Sequence, residues 1–189
     1  MIRLAAPAAA ALILGTGAAP RAHVTGPPPA HTGGFGEPTC VVCHEGDDLN
    51  AFGGKVSLVG LPPSYTPGER YVLTVVLEAA ETTVAGFQIA ARFADGEARG
   101  GAAGQLAPLD TRVAVTPGEA GQPYAHHTQA GTTTPDDTGS SWLVEWTAPP
   151  RPGAVVFHVA ANSGNGDNSP LLDLVYTAEI TVRSTSTGP

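Results

Sequence analysis

Positive charge is scarce in this chain. Of 189 residues, 9 are Lys or Arg and 17 are Asp or Glu, for a formal net charge of -8. That balance excludes DNA, RNA and anionic membrane surfaces as ordinary partners, because all of them reward positive charge. Cysteine is scarcer, with 2 residues, Cys40 and Cys43, in one short motif, so no disulfide framework spans the chain. Methionine occurs once, at Met1. No apolar run beyond the first residues is long enough to span a membrane. No amphipathic pattern of helical length stands out either. A Ser-His-Asp order, a paired-carboxylate motif and a phosphate loop are all missing, so hydrolytic chemistry has no support and a non-enzyme is expected.

Glycine (24) and proline (18) are abundant, while charged residues make up 14%. Such a balance favours short strands joined by turns. A hydrophobic content of 42% argues against disorder. Arg3 followed by the apolar run Leu4 to Leu14 and small residues reads as a signal peptide, residues 1–22. This predicts export to the periplasm or the exterior, with no membrane span after processing. A Gly/Pro-rich lead with the cysteine motif follows as residues 23–54, expected to be extended or irregular. Residues 55–183 carry period-two patterning. The runs Val56 to Leu61, Tyr71 to Leu77, Gly86 to Phe93, Val113 to Val115, Trp142 to Trp146, Val155 to Val159 and Leu174 to Val182 alternate in hydrophobicity. Pro-Gly turns at Pro67-Gly68, Pro117-Gly118 and Pro152-Gly153 punctuate them. The pattern predicts an all-β, antiparallel sandwich. Residues 184–189 are a polar tail.

The run Cys40-Val41-Val42-Cys43-His44 carries the chemistry. Two thiols separated by two residues match the vinyl positions of a porphyrin, and the next residue, a histidine, reaches the iron from the proximal side. The spacing therefore predicts one covalent haem c, with Cys40 and Cys43 as thioethers and His44 as proximal ligand. Attachment after export agrees with the signal segment. A redox Cys-x-x-Cys calls for an alternating α/β context, which is missing. A zinc site needs two further ligands. A short-loop disulfide is the remaining competitor.

With Met1 as the single methionine, the distal ligand of a processed chain is not methionine. His23, His31, His126, His127 and His158 are the candidates, together with an open position. His158 shares its parity with Val156 and Ala160, opposite to Phe157, so it is expected to point away from the core. His31 lies close to the cysteines in a lead where the sequence shows nothing that fixes it. His126 and His127 are adjacent, so an extended backbone sends them to opposite sides.

A set of ordered motifs resembles the bacterial choice-of-anchor V domain proteins, related to the reeler (reelin N-terminal-like) domains. Gly26-Pro27-Pro28, Thr32-Gly33 and Gly36-Glu37-Pro38-Thr39-Cys40 lead into His44. Leu61 to Tyr71, Gly86-Phe87, Tyr124 to Thr128, Trp142 to Pro149, and Ala160-Ala161-Asn162 through Asn165-Gly166 follow in order. The resemblance covers about residues 25 to 182 and implies an immunoglobulin-like, reeler-like sandwich. It aligns His127 with the family's His-Thr position, which implies His127 as distal ligand. Its members often carry an anchoring segment after the domain; this sequence ends at Pro189, so a soluble exported product is the expectation.

These readings together predict an exported monohaem cytochrome that carries single electrons to or from redox partner proteins of basic surface. The alternative is a binding module at the cell surface or in a larger exported complex, with a structural or sensory haem. A haem enzyme would need an open distal position. Two smaller signals have simpler explanations: Asn162, Asn165, Asp167 and Asn168 suit a turn better than calcium, and Trp142 and Trp146 suit core packing better than a haem edge or a sugar.

Overall fold

The computed structural model describes residues 23–185. The expected signal segment and the last four residues of the polar tail lie outside the described residues. Ten strands form two sheets: β1 (Gly54–Val59), β2 (Ser64–Tyr65), β3 (Arg70–Ala79), β4 (Val84–Phe93), β5 (Gln105–Pro108), β6 (Val113–Pro117), β7 (Pro123–His127), β8 (Gly139–Thr147), β9 (Ala154–Gly164) and β10 (Leu174–Ser184). One sheet has the order β1-β3-β8-β5 and the other β2-β10-β9-β4-β7-β6. The short β2 pairs parallel to β10, and the other ladders are antiparallel. This is the all-β sandwich that the alternation predicts.

The alternating apolar residues meet between the sheets. Leu73, Val75 and Leu77 of β3, Phe87 and Ile89 of β4, and Phe157 and Val159 of β9 are fully buried. Both tryptophans belong to this core. Trp146 lies edge-on to Phe157 at 4.9 Å and to Tyr65 at 5.2 Å, and Trp142 stacks on Phe87 at 4.6 Å. Each indole N–H finds a backbone carbonyl, Gly131 for Trp142 and Ala103 for Trp146, so neither leaves a buried donor unpaired.

The second face of the larger sheet departs from the sequence pattern. β9 is buried at every position and β4 at every position after Val84. Alternation turns His158 away from the core, and Gln88, Arg92 and Asn162 lie on the same outer face. Residues 23–50 lie across them as an arm. The arm starts beside β7, crosses β4 and β9, and reaches β10, where Asn50 pairs with the Thr177 backbone N–H and hydroxyl. Polar residues on the outer face fasten it. Gln88 donates to the Pro28 carbonyl at 2.9 Å and accepts from the His31 N–H at 2.7 Å. Arg92 pairs with Glu37, and Glu37 also accepts from Tyr124 at 2.5 Å and Thr32 at 2.6 Å. Gly34 rests on the His158 ring: a β-carbon there would lie 2.3 Å from the imidazole, so only glycine allows this approach.

Candidate functional site

The arm carries the cysteine motif, and local backbone chemistry shapes it. Cys40–Val42 form one 3-10 turn, with buried Thr39 at its start. The N–H groups of Cys43 and His44 both donate to the Cys40 carbonyl, at 3.1 and 3.0 Å. This winding brings Cys40, Cys43 and His44 onto the wall of one cleft. Both cysteines are free thiols. Burial pushes the Cys40 thiol up to about 12, so it remains protonated at neutral pH.

His44 is held from behind. Its Nδ1 donates to Asp173 Oδ2 at 2.6 Å, a bond that joins residues 129 apart in the chain. Asp173 is buried and also accepts from the Asn165 backbone N–H at 3.2 Å and the Asn162 amide at 3.5 Å. With the ring proton on Nδ1, the His44 Nε2 keeps its lone pair, and it has no hydrogen-bond partner among the described residues. A carboxylate behind an imidazole is the arrangement that orients metal-bound histidines and raises their basicity. The sequence gives no local sign of it, because Asp173 sits within an unremarkable Leu171-Leu172-Asp173-Leu174 run.

The cleft has about 950 Å³ of space unfilled by atoms, its open mouth included. Val24, Pro27, Pro28, Val84, Ala85 and Phe87 give it an apolar wall, and His23, His31 and His127 also reach it. Two thiols, one oriented imidazole and an apolar wall suit a covalently held porphyrin. The Asn162 side-chain oxygen, on the same cleft, is buried without a partner among the described residues. Among the described residues no three His, Cys, Asp or Glu side chains converge as a metal-holding group.

The remaining histidines differ in what their ring nitrogens do. The β4–β7 ladder holds only two residue pairs, Gln88 with His126 and Ile89 with Ala125. Beyond it the His127 ring fills the gap. Its Nδ1 faces both backbone groups of Phe87, the N–H at 3.1 Å and the carbonyl at 3.3 Å, and its Nε2 donates to the His23 carbonyl at 3.0 Å. Gly86 makes room, since a β-carbon there would lie 2.6 Å from the ring. His126 also uses both nitrogens, on the His127 carbonyl and the Thr116 hydroxyl. His158 donates from Nε2 to Glu179 at 3.1 Å under the arm and does not reach the cleft. In His31, Nδ1 donates to the Pro29 carbonyl at 2.9 Å, and Nε2 has no partner among the described residues. The lead does fix this residue, against the sequence expectation, through Gln88 some 57 residues away. The Asn165 to Ser169 stretch is a chain of side-chain-capped turns, with Asp167 N–H on Asn165 and Ser169 N–H on Asp167.

Burial lowers the proton affinity of both His127 and His158 below the ordinary imidazole value, outweighing the Phe87 and His23 carbonyls for the first and Glu179 for the second. His126 and His44 beside His127, and Arg92 near His158, act in the same direction. Both rings are therefore neutral in the fold, and an unfolded chain protonates first. Their contribution to stability is complete above about pH 6.5 and falls as the pH drops from there through the folded values. The urea midpoint of the haem-free chain should accordingly decrease between pH 7.5 and 5. His158→Gln should flatten that decrease; an equal slope in the variant would exclude His158 as a contributor.

No family model matches this chain. A search of curated proteins likewise returns no match. Among solved structures it is similar to the human F-spondin reeler domain, at 19% identity over 74% of this chain and 93% of that one, with a TM-score of 0.46. The Reelin-N domain of F-spondin matches at 16% identity over 78% and 96%, with a TM-score of 0.49. A cohesin module from a Clostridium perfringens family 33 glycoside hydrolase matches at 13% identity over 71% and 98%, with a TM-score of 0.46.

Proposed function

We propose that this chain is an exported monohaem c-type cytochrome in which a β-sandwich carries the haem on its outer face. One observation carries the reading: the cleft that presents the two free thiols also presents His44 with its Nδ1 held by Asp173 and its Nε2 free. Cys40 and Cys43 would hold the porphyrin edge, His44 would bind the iron, and Asp173 would orient His44. Phe87, Val84, Ala85 and the Pro27-Pro28 pair would exclude water from one side. Haem supplies a one-electron iron couple when bound. Glu45, Asp47 and Asp48 lie exposed just after the motif, which suits a partner of basic surface. The ordered motifs that resemble the choice-of-anchor V proteins, and the leader read in residues 1–22, support export.

The test is a redox titration of the protein produced with a cytochrome c maturation system. A single reversible transition with one-electron slope is expected, and electron exchange with a basic redox protein should slow as salt rises. A haem that does not exchange electrons with external partners would exclude the carrier role.

Apolar side chains exposed around the motif favour a second reading. Val42 is 57% exposed, and Leu171, which bridges to Glu45, and Leu172, 77% exposed, lie just before β10. Such a surface suits a binding module in a larger exported complex, with the haem as staple or sensor. Stable capture of a protein partner that survives haem reduction and oxidation alike would select it.

Asp173 gives a prediction of its own. Asp173→Asn keeps the shape but removes the charge behind His44, so the imidazole becomes a weaker donor to ferric iron. The reduction potential should rise. A tenfold change in ferric against ferrous preference corresponds to about 59 mV for one electron, and a shift of that order is expected when the carboxylate behind a metal-bound imidazole is lost. An unchanged potential in the titration would remove Asp173 from the site.

A further inference from the structure

We infer that His31, on the arm, would supply the second imidazole nitrogen to a haem iron held by His44, and that His127 is a structural histidine of the sheet. This rests on the haem reading above and deepens it.

Iron takes a neutral imidazole through a nitrogen lone pair, so the ring's other nitrogen must carry the proton. Five histidines are candidates by composition. His158 stands outside the cleft with Nε2 on Glu179, and His126 has both nitrogens engaged. His127 reaches the cleft in the wrong tautomer. Its Nδ1 lies 3.1 Å from the Phe87 N–H and 3.3 Å from the Phe87 carbonyl, and the neutral tautomer that partners both ring nitrogens has Nδ1 accept that N–H and Nε2 donate to the His23 carbonyl. Turning His127 into a ligand would break both bonds and leave the Phe87 N–H, buried where the β4–β7 ladder opens, without a partner.

His31 shows the opposite arrangement. The Pro29 carbonyl holds the proton on Nδ1 at 2.9 Å, which leaves the Nε2 lone pair free. The residue lines the same cleft as Cys40, Cys43 and His44. Its backbone is clamped by Gln88, itself fully buried, which holds Pro28 and His31 together. That clamp makes a loop histidine a preorganised one. His44 repeats the pattern with Asp173 in place of the Pro29 carbonyl. His23 also lines the cleft, but it is exposed, and no bond to its ring among the described residues selects a tautomer or an orientation.

Full-length holoprotein carrying His31→Ala, His127→Gln or His23→Ala is compared with the parent by ferric electron paramagnetic resonance, ferrous carbon monoxide binding and redox titration. His31→Ala should convert a low-spin, two-imidazole ferric signal to a high-spin one and open the ferrous form to carbon monoxide. His127→Gln and His23→Ala should keep the parent signal. His31→Met should restore a low-spin state at a higher potential, since methionine ligation raises it. A His31→Ala protein that keeps the two-imidazole signal overturns the assignment, as does its loss in either other variant. Absence of covalent haem in the parent overturns the haem reading itself, a result distinct from a misplaced ligand.

Discussion

Replacing Cys40 and Cys43 together with serine should abolish covalent haem and leave the sandwich folded. The two sulfurs are the only cysteines in the chain, so no second pair can take over. They stand on a turn outside the core, and neither belongs to the cluster between the sheets. Serine keeps the volume of the side chain nearly unchanged, and the turn's hydrogen bonds run through the Cys40 carbonyl and Thr39 rather than through sulfur. The unfolding free energy of haem-free protein in urea should therefore change by only about 1 kcal/mol, because the change spares the core but places a hydroxyl at the covered Cys40 position. The haem-specific stain on a denaturing gel should disappear. The single variants should each retain one thioether and a red-shifted α-band. Retention of covalent haem by the double variant would mean that attachment occurs elsewhere.

The second large effect is expected at Glu37. Its carboxylate faces the Arg92 guanidinium where both side chains are almost fully covered, and it also takes the hydroxyls of Tyr124 and Thr32. Glu37→Gln leaves Arg92 as an uncompensated charge under the arm. Breaking a buried pair in this way costs about 3–5 kcal/mol, a large share of the stability of an ordinary domain. The loss should concentrate on the arm. Amide hydrogen exchange should accelerate over Thr32 to Thr39, while strands β3 and β8 retain most of their protection. Arg92→Met in the same chain should recover much of the loss, because no unpaired charge is then left under the arm. A Glu37→Gln protein with parental exchange in the arm would show that the pair contributes nothing to docking.

The same network explains where sequence reading succeeded and where it stopped. The inner faces of β3, β4, β8 and β9 were legible because Leu73-Val75-Leu77 and Val155-Phe157-Val159 alternate strictly, and period two leaves one face for a core. β7 escaped notice because Pro123-Tyr124-Ala125-His126-His127 has no apolar alternation, and the two-residue β2 offers too little pattern. The polar outer face points away from the core, as the parity of His158 implies, but what covers it is not written in local pattern. Gln88, Arg92 and His158 are polar at alternate positions, as an exposed face would be, yet their polarity serves the arm. Long-range hydrogen bonds leave no trace in local periodicity.

The site divides along the same line. Cys40, Cys43 and His44 were legible because the chemistry needs them within five consecutive residues. Asp173 lies 129 residues from His44, and Gln88 lies 57 residues from His31, so neither contact has a spacing to read. His127 came from the motif resemblance. The structure places it on the cleft with its nitrogens engaged by backbone. Which histidine completes the site is thus a question of tautomer, and tautomers are set by partners that only the fold brings near.

The central claim is that this sandwich carries one haem bound covalently through Cys40 and Cys43. The most direct measurement is the intact mass and visible spectrum of the protein after export, maturation and acidic acetone extraction. The account predicts one haem per chain that stays with the polypeptide, and a sharp reduced α-band at the two-thioether position. Haem that extracts away from the chain, or a chain with no haem and both thiols open to alkylation, would contradict it.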